Sequence, residues 1–256
     1  MTRRSAAGTQ PLERPATIDL ELPGGRVAFS TRRGGVSEGP YESLNLGILT
    51  DDEPERVTRN RTLLADHVGL DPDGIAMGWQ VHGAELREWD GRAPRGPGFA
   101  ARASAGQPEL DRVDAHGTAA EGLGLLVLVA DCLPVALVAP GRVAMLHCGW
   151  RGLAAGIVER ALATFREPPA AAIGPGIGAC CYEVGDEVLA EFRDLDGVTS
   201  GRRLDLKAVA SLKLRAGGAD RIEDVGLCTS CRPDLLFSHR RDGAVTGRQC
   251  GLVWRV

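Results

Sequence analysis

The most constraining feature of the sequence is a set of short apolar runs in the middle of the chain. Leu123–Ala130 and Val135–Val138 are separated only by Asp131-Cys132-Leu133-Pro134, and Arg142–Leu146 follows as a third run. Uninterrupted apolar runs of this length are typical of strands that are buried on both faces of a sheet. The sequence therefore predicts a sheet that is covered on both sides, with one polar break between two of its strands.

Other segments alternate between helix and strand patterns. Apolar residues recur at helical spacing in residues 54–69, 152–165, 184–194 and 206–216, and Asp205 is a suitable N-cap for the last of these helices. Strands are predicted at 26–31, 170–173, 222–227 and 251–256. The residues alone thus leave α/β and α+β open, with helices covering a sheet in either case.

Composition limits the class of partner. The chain has 256 residues, a net charge of −4 and only 4% aromatic residues. A nucleic-acid or anionic lipid surface would favour a basic patch, and base stacking would need more aromatic side chains. The most apolar stretch, 123–138, is too short and too interrupted to span a bilayer. We therefore expect a small-molecule enzyme or a binding module, with no nucleic-acid or membrane partner.

Domain organisation and location follow from the termini and the cysteines. Residues 1–16 are polar and predict a disordered N-terminal tail, residues 17–256 a single domain, and 90–107 an exposed loop rich in Gly and Pro. No apolar segment follows the early Arg pair, and the seven cysteines are widely spread. These features predict a cytoplasmic protein with reduced thiols.

Three residues form a candidate metal site. His82 precedes a glycine, His147 ends an apolar run, and Cys132 lies beside Asp131 in the break between two runs. Two imidazoles and one thiolate are good zinc ligands, and three protein ligands with a fourth open position are typical of catalytic zinc. The spacing is not that of a local metal motif, so a buried core role for each residue stays open.

The remaining cysteines offer a competing arrangement. Cys228-Thr-Ser-Cys231 is a lone CxxC, and it is accompanied by the adjacent pair Cys180-Cys181 and by Cys250. Four of these cysteines would be enough for a structural zinc site, the CxxC would suit redox chemistry, and simple packing beside a strand end is the third interpretation.

The motifs in order resemble the laccase-domain proteins, once called multicopper polyphenol oxidases and now described as purine nucleoside phosphorylases. The resemblance covers roughly residues 25–255. The matching segments are Phe29-Ser-Thr-Arg-Arg-Gly-Gly-Val-Ser, Tyr41-Glu-Ser-Leu-Asn-Leu-Gly, Gln80-Val-His-Gly, Ala130-Asp-Cys-Leu-Pro-Val, Leu146-His-Cys-Gly-Trp-Arg-Gly, Ile173-Gly-Pro-Gly-Ile-Gly-Ala-Cys-Cys-Tyr-Glu-Val-Gly, Leu204-Asp-Leu-Lys, Ser238-His-Arg-Arg-Asp-Gly and Thr246-Gly-Arg.

The resemblance implies an α+β fold, a layered sandwich in which mixed β-sheet is covered by helices. It also implies zinc ligation by His82, Cys132 and His147, with copper in some members, and places Arg32 and Asn45 in the substrate pocket. The implied activities are phosphorolysis of adenosine, inosine, guanosine and methylthioadenosine, and deamination of adenosine. The expected partners are thus purine nucleosides and phosphate, in a monomer or homodimer.

Three positions depart from the family pattern. Cys148 stands where alanine is usual, His116 where leucine is common, and His239 where tyrosine or phenylalanine is usual. Adjacent strand residues point to opposite faces, so Cys148 and His147 are not expected to reach the same metal.

The chemistry needs further groups. Zinc would lower the pKa of bound water toward about 7 for attack on a purine, with Asp131 as hydrogen-bond partner or general acid, and Arg32 or Arg151 would hold phosphate. The alternative is a cysteine hydrolase, for example in peptidoglycan editing, with Cys132 as nucleophile and His147 or His82 as base. Multicopper oxidation is disfavoured, since the chain has only five histidines.

Overall fold

The apolar runs form central strands of two β-sheets in the computed structural model, which describes residues 14–91, 99 and 110–256. The strands are β1 Thr17–Leu22, β2 Gly25–Ser30, β3 Ile75–Ala76, β4 Leu86–Trp89, β5 Ala115–Thr118, β6 Gly124–Val129, β7 Leu133–Ala139, β8 Arg142–Cys148, β9 Ala170–Ile173, β10 Thr199–Ser200, β11 Arg203–Leu204, β12 Arg221–Asp224 and β13 Gln249–Arg255. The helices are α1 Pro54–Val68, α2 Trp150–Ala154, α3 Ile157–Leu162, α4 Asp186–Glu191, α5 Leu206–Ala216 and α6 His239–Asp242.

Both large sheets are mixed. One has the order β1-β2-β13-β6-β3, the other β12-β9-β7-β8-β5-β4, and β10 and β11 form a separate hairpin. The pairs β3–β6, β4–β5 and β9–β12 are parallel, and the other pairs in the two large sheets are antiparallel. Parallel pairs require crossover connections, which the helices and long loops provide.

The alternation of side chains along the strands builds four layers. Val127 and Val253 of the five-stranded sheet meet Ala136 and Met145 of the six-stranded sheet in a core between the two sheets. Neighbouring strand residues point away from this core, because successive side chains lie on opposite faces. On the outer faces, α1 packs on the first sheet, and α2, α3 and α5 pack on the second. The expected α+β layered sandwich, mixed sheet covered by helices, is confirmed.

Local signals explain where the helices begin and end. The Asp205 carboxylate accepts hydrogen bonds from the amides of Lys207 and Ala208, both at 3.0 Å, and so caps α5 as predicted. The single helix predicted over 152–165 is wrong. Gly156 adopts a left-handed conformation (φ 85°), which no continuous helix contains, and the chain forms α2 and α3 on either side of it.

The polar break between the apolar runs is a crossing from one sheet to the other. The chain leaves the five-stranded sheet at the end of β6 and enters the six-stranded sheet at Leu133. Asp131 takes a positive φ of 99° at this crossing. Pro134 pairs with His147, so the start of β7 lies beside the end of β8. Cys132 and His147 are therefore brought together by strand register.

Two predicted segments fall mainly outside the described residues: most of the tail 1–16 and most of the loop 90–107. At the tail's end, Ala16 bonds to the backbone of Thr31 and Arg33. The division into tail and single domain stays a prediction. Among the described residues, no helix has the length and apolar character needed to cross a bilayer.

Candidate metal and nucleoside site

Three segments bring the predicted metal ligands together. His82 comes from the loop between β3 and β4, Cys132 from the crossing between the sheets, and His147 from the end of β8. One ligand atom from each residue lies within 4.8 Å of the other two. The two imidazole rings meet edge to face with centroids 4.9 Å apart. The sequence separation of these residues is therefore closed entirely by the sheet crossing and by strand pairing.

Asp114, a residue that sequence reasoning missed, positions both histidines. Its carboxylate accepts hydrogen bonds from the backbone amides of Val81, His82 and Gly83 at 2.8–3.1 Å. The same carboxylate lies 2.8 Å from Nδ1 of His147 and is fully buried. Three converging amides hold the His82 loop in a conformation in which His82 itself has a φ of 59°.

These contacts fit a metal ion. The Asp114 carboxylate engages Nδ1 of His147, which leaves Nε2 for coordination, and a carboxylate behind a histidine is a common arrangement at zinc sites. Close approach is possible only because residue 149 is glycine. A Cβ on Gly149 would lie 3.0 Å from Sγ of Cys132 and 3.3 Å from the His82 ring. The donor set of two imidazoles and one thiolate suits zinc and leaves room for a further ligand.

The electrostatics favour a thiolate at Cys132. Burial by itself raises the pKa of this thiol, but the charge of His147 and hydrogen bonds from both histidines outweigh burial and lower the pKa to about 6. Burial lowers the pKa of His147, whereas Cys132 and Asp114 outweigh it and raise the pKa to about 9. For Asp114, the hydrogen bonds from His147 and the loop amides overcome burial and hold the pKa below its usual value. The site therefore stabilises the ionised thiol that a metal requires.

The three residues line one side of a cavity of about 500 Å³. This volume lies within the range of small-molecule sites. Its walls carry aromatic and apolar side chains, among them Trp79, Trp150 and Tyr182. Three guanidinium groups also face it, from Arg151, Arg240 and Arg248. The cavity thus combines apolar surface with concentrated positive charge beside the candidate metal ligands.

The cavity arginines are held in different ways. Arg151 stacks on Trp150 with its guanidinium carbon 4.3 Å from the ring centre. Arg240 lies 5.1 Å from the ring centre of Tyr182 and donates to the carbonyl of Glu183. Arg248 donates to the carbonyls of Thr246 and Gly247, and its burial lowers its pKa. Of the three, only Arg151 was singled out from the sequence. Arg240 and Arg248 lie in the motifs Ser238-His-Arg-Arg-Asp-Gly and Thr246-Gly-Arg, and this family match is the sequence feature that could have identified them.

Asp131 lines the cavity, and both oxygens of its carboxylate accept hydrogen bonds. It accepts hydrogen bonds from the hydroxyls of Thr229 and Ser238 at 2.5 and 2.7 Å and from the amide of Arg240 at 2.6 Å. These contacts agree with the first of the two predicted roles, that of a hydrogen-bond partner. The general-acid role stays a prediction.

Arg32 and Asn45 are placed outside the cavity lining. Arg32 donates to the carbonyls of Glu42 and Pro233 and lies 4.6 Å from the ring centre of Phe237. Asn45 is fully buried and accepts hydrogen bonds from the amides of Gly47 and Arg248. Both residues fix loops behind the cavity, and Asn45 orients the segment that carries Arg248. Their contact with substrate stays a prediction.

The three departures from the family pattern are also located. Cys148 is buried in the core beneath the helices, on the opposite strand face from His147 as expected, and burial raises its pKa well above the usual value. His116 is fully buried behind the site and accepts a hydrogen bond from the Trp89 indole. His239 is exposed at the cavity wall. Only His239 is therefore placed to contact a substrate.

Comparison with known proteins agrees with this architecture. The family model described as multi-copper polyphenol oxidoreductase laccase matches residues 26–256. A purine nucleoside phosphorylase of Streptomyces coelicolor is 39% identical over 246 residues, which cover 90% of this chain and 96% of the relative. The purine nucleoside phosphorylase YlmD of Geobacillus stearothermophilus is 35% identical and covers 91% and 90%.

A solved structure extends the comparison to three dimensions. The hypothetical protein YfiH of Bacillus licheniformis superposes with a TM-score of 0.81 at 32% identity, covering 91% of this chain and 93% of that one. Sequence match and fold agree over nearly the whole chain. The protein therefore belongs to the multi-copper polyphenol oxidoreductase laccase family, to which the sequence motifs pointed.

Proposed function

We propose that this protein is a zinc-dependent purine nucleoside phosphorylase. In this reaction phosphate forms a bond to C1′ of the ribose while the bond from C1′ to the purine nitrogen breaks, and the base leaves with a proton. The proposed substrates are adenosine, inosine, guanosine and methylthioadenosine. Relatives that align over about nine-tenths of this chain carry the phosphorylase name, which supports the general activity.

One observation carries the proposal: the His82–Cys132–His147 cluster opens into a cavity that also presents three arginines. Phosphorolysis needs an anion beside a nucleoside, and guanidinium groups match phosphate oxygens in a bidentate manner. Arg151 and Arg240 are exposed at the cavity mouth, whereas Arg248 is partly buried. Phosphate is therefore expected to enter along the exposed arginines.

Apolar surface supplies the other half of recognition. Arg151 and Arg240 already lie over the rings of Trp150 and Tyr182. Trp79 also lines the cavity, and an aromatic ring of this kind can stack on a purine base. Bound zinc would supply a Lewis acid and lower the pKa of coordinated water toward about 7. The residues of the chain would hold the metal, orient the nucleoside and bind phosphate, with Asp114 fixing the two histidines.

Adenosine deamination is proposed as a second activity of the same site, with water as the nucleophile in place of phosphate. The cysteine hydrolase alternative also uses the Cys132–His147 pair. It is not favoured, because the aligned relatives from Streptomyces coelicolor and Geobacillus stearothermophilus carry the name purine nucleoside phosphorylase. A cytoplasmic location and a monomeric or homodimeric state stay predictions.

The test is chromatography of adenosine incubated with metal-analysed protein, with and without phosphate. Adenine and ribose 1-phosphate that form only with phosphate would support the phosphorylase, and inosine formed without phosphate would support the deaminase. If adenosine survives both incubations while zinc occupies the His82–Cys132–His147 cluster, the purine assignment is wrong. Acyl-enzyme bursts on an ester substrate would then favour the cysteine hydrolase.

Two cysteine variants serve as a matched pair in this assay. Cys132→Ala removes a proposed ligand and is expected to lose turnover together with the metal of the His82–Cys132–His147 cluster. Cys148→Ala removes the neighbouring thiol from the core beneath the helices and is expected to keep both. Full turnover in Cys132→Ala, or loss of metal in Cys148→Ala alone, would contradict the assigned ligand set.

A further inference from the structure

A second group of potential metal ligands lies apart from the His82–Cys132–His147 cluster. Cys180 and Cys181 follow β9, and Cys228 and Cys231 follow β12. The four sulfur atoms lie within 4.8 Å of one another. Sγ of Cys231 is 3.5 Å from that of Cys180 and 3.4 Å from that of Cys181. The proposed function uses none of these four thiols.

The fold brings the two cysteine pairs together through a parallel strand pair. β9 and β12 run side by side with Ile173 opposite Asp224, so the chain leaves both strands at the same edge of the sheet. Backbone pairing continues past the strands, since Gly176 bridges to Cys228 and accepts a hydrogen bond from the amide of Thr229 at 3.0 Å. The two loops are therefore joined before their cysteines meet.

The sulfur separations distinguish a metal site from a disulfide. A disulfide places its sulfurs about 2.05 Å apart, whereas all four thiols here are free. A tetrahedral zinc ion with bonds of about 2.3 Å to sulfur sets its ligands about 3.8 Å apart. The separations of 3.4 and 3.5 Å at Cys231 lie 0.3–0.4 Å below this value, and all four sulfurs lie within 4.8 Å of one another. The amide of Gly178 also donates to Sγ of Cys228 at 3.2 Å, as expected for a sulfur that carries negative charge.

The chemistry of four thiols and no other ligand selects the metal class. Cys₄ sets are typical of structural zinc, which is four-coordinate and closed to further ligands. A CxxC pair supplies two ligands from one turn, and the adjacent pair Cys180-Cys181 supplies the other two. We propose that Cys180, Cys181, Cys228 and Cys231 form a structural zinc site that fastens the loop after β9 to the loop after β12.

This site would brace the cavity from behind. Thr229 lies between the two cysteines of the CxxC and donates to Asp131, the residue before Cys132. On the other loop, Cys181 is followed by Tyr182 in the cavity wall. Arg241 donates to the carbonyl of Thr229 at 2.8 Å and so helps to hold the CxxC turn. A metal at the four cysteines thus fixes two segments of the cavity without contacting substrate.

The experiment is metal analysis of reduced protein combined with X-ray absorption. The wild type is expected to hold two zinc ions per chain. The variant His82→Asn/Cys132→Ala, in which asparagine tolerates the left-handed backbone at position 82, should keep one zinc with only sulfur neighbours at about 2.3 Å. Cys228→Ser/Cys231→Ser should lose that zinc and keep the one at His82, Cys132 and His147, so its X-ray absorption should show both nitrogen and sulfur neighbours.

Cys250→Ala is the matched control, because Cys250 is buried away from both clusters in the core beneath α1. It should keep two zinc ions. The proposal is wrong if the wild type holds a single zinc that disappears in His82→Asn/Cys132→Ala, or if mass mapping of reduced, metal-loaded protein finds these four cysteines free to react. The zinc content of His82→Asn/Cys132→Ala does not depend on activity. The structural zinc site can therefore be confirmed even if the protein does not catalyse phosphorolysis, and it can be refuted even if the protein does.

Discussion

At the scale of single residues, Asp114 has the widest influence on the site. One buried carboxylate orients His147 and holds the backbone of the His82 loop through three amides. Removing such a supporting group typically costs about 10–100-fold in metal affinity. We expect Asp114→Asn to weaken zinc binding by about that factor, because the amide replaces an acceptor with a donor facing N–H groups. Competition with a chromophoric chelator measures the change.

The matched control is Asp66→Asn, on the exposed side of α1. It should bind zinc as the wild type does. Unchanged affinity in Asp114→Asn would show that the ligands hold their positions without this carboxylate.

His116 gives a prediction about acid stability. Burial lowers its pKa to about 4 from an ordinary 6.5, so the unfolded chain binds the proton first as pH falls. Well above pH 6.5 His116 does not lower the unfolding free energy. As pH falls, the loss of unfolding free energy grows until about pH 4, where it reaches roughly 3 kcal/mol. We expect His116→Leu to remove this part of the acid sensitivity. Urea unfolding at pH 7.5 and at pH 4.5 checks it.

The comparison uses the difference between the two pH values, because the variant also frees the Trp89 indole N–H at every pH. A His67→Leu variant on α1 provides the control and should lose stability with acid as the wild type does. Parallel pH profiles for His116→Leu and the wild type would contradict a neutral buried His116.

At the scale of elements, the break between α2 and α3 gives a prediction with a definite sign. In a continuous helix, Gly156→Ala would stabilise by about 1 kcal/mol. Here Gly156 is left-handed (φ 85°), so alanine is expected to destabilise by about 1–2 kcal/mol. Gly156→Asn should lose less, because asparagine tolerates this conformation. Chemical denaturation of the wild type and the two variants measures their relative stabilities. A Gly156→Ala variant that is more stable than the wild type would support a continuous helix over 152–165.

At the scale of the whole molecule, Asp131 joins parts of the chain that are distant in sequence. It lies where the chain crosses between the sheets and accepts hydrogen bonds from Thr229, Ser238 and Arg240. These donors are about 100 residues further along the chain. Asp131→Asn keeps a residue that tolerates positive φ but loses charge-assisted hydrogen bonds, so we expect a loss of about 2–3 kcal/mol in unfolding free energy. Thermal or urea unfolding measures this.

Asp234→Asn is the control for charge, since the exposed Asp234 forms ion pairs with Arg232 and Arg33. Exposed ion pairs contribute little, and a loss of less than about 1 kcal/mol in unfolding free energy is expected. Equal stability of Asp131→Asn and the wild type would mean that the crossing is held by packing alone.

The sequence by itself offered the three metal-ligand candidates, which the family resemblance then selected. It did not predict β1, β3, β4, β5, β10 or β11. It did predict β2, β6, β7, β8, β9, β12, β13 and most of the helices. Local patterns suffice for these, because burial periodicity and caps act over a few residues, as Asp205 shows at α5. The ligand geometry and the loop positions of Arg32 and Asn45 required the tertiary structure. His82 and Cys132 are 50 residues apart, and only the sheet crossing brings them together.

The four-cysteine cluster likewise depends on tertiary structure, because its two cysteine pairs are about 50 residues apart in the sequence. A lone CxxC left zinc, redox chemistry and packing open, because no local pattern states which other thiols lie nearby. The parallel pairing of β9 with β12 places Cys180 and Cys181 beside it. The role of Asp114 was missed for the same reason, because its partners His82 and His147 lie about 30 residues away on either side of it in the sequence. Residue chemistry is written locally, whereas the convergence of donors on one point is a property of the folded sheets.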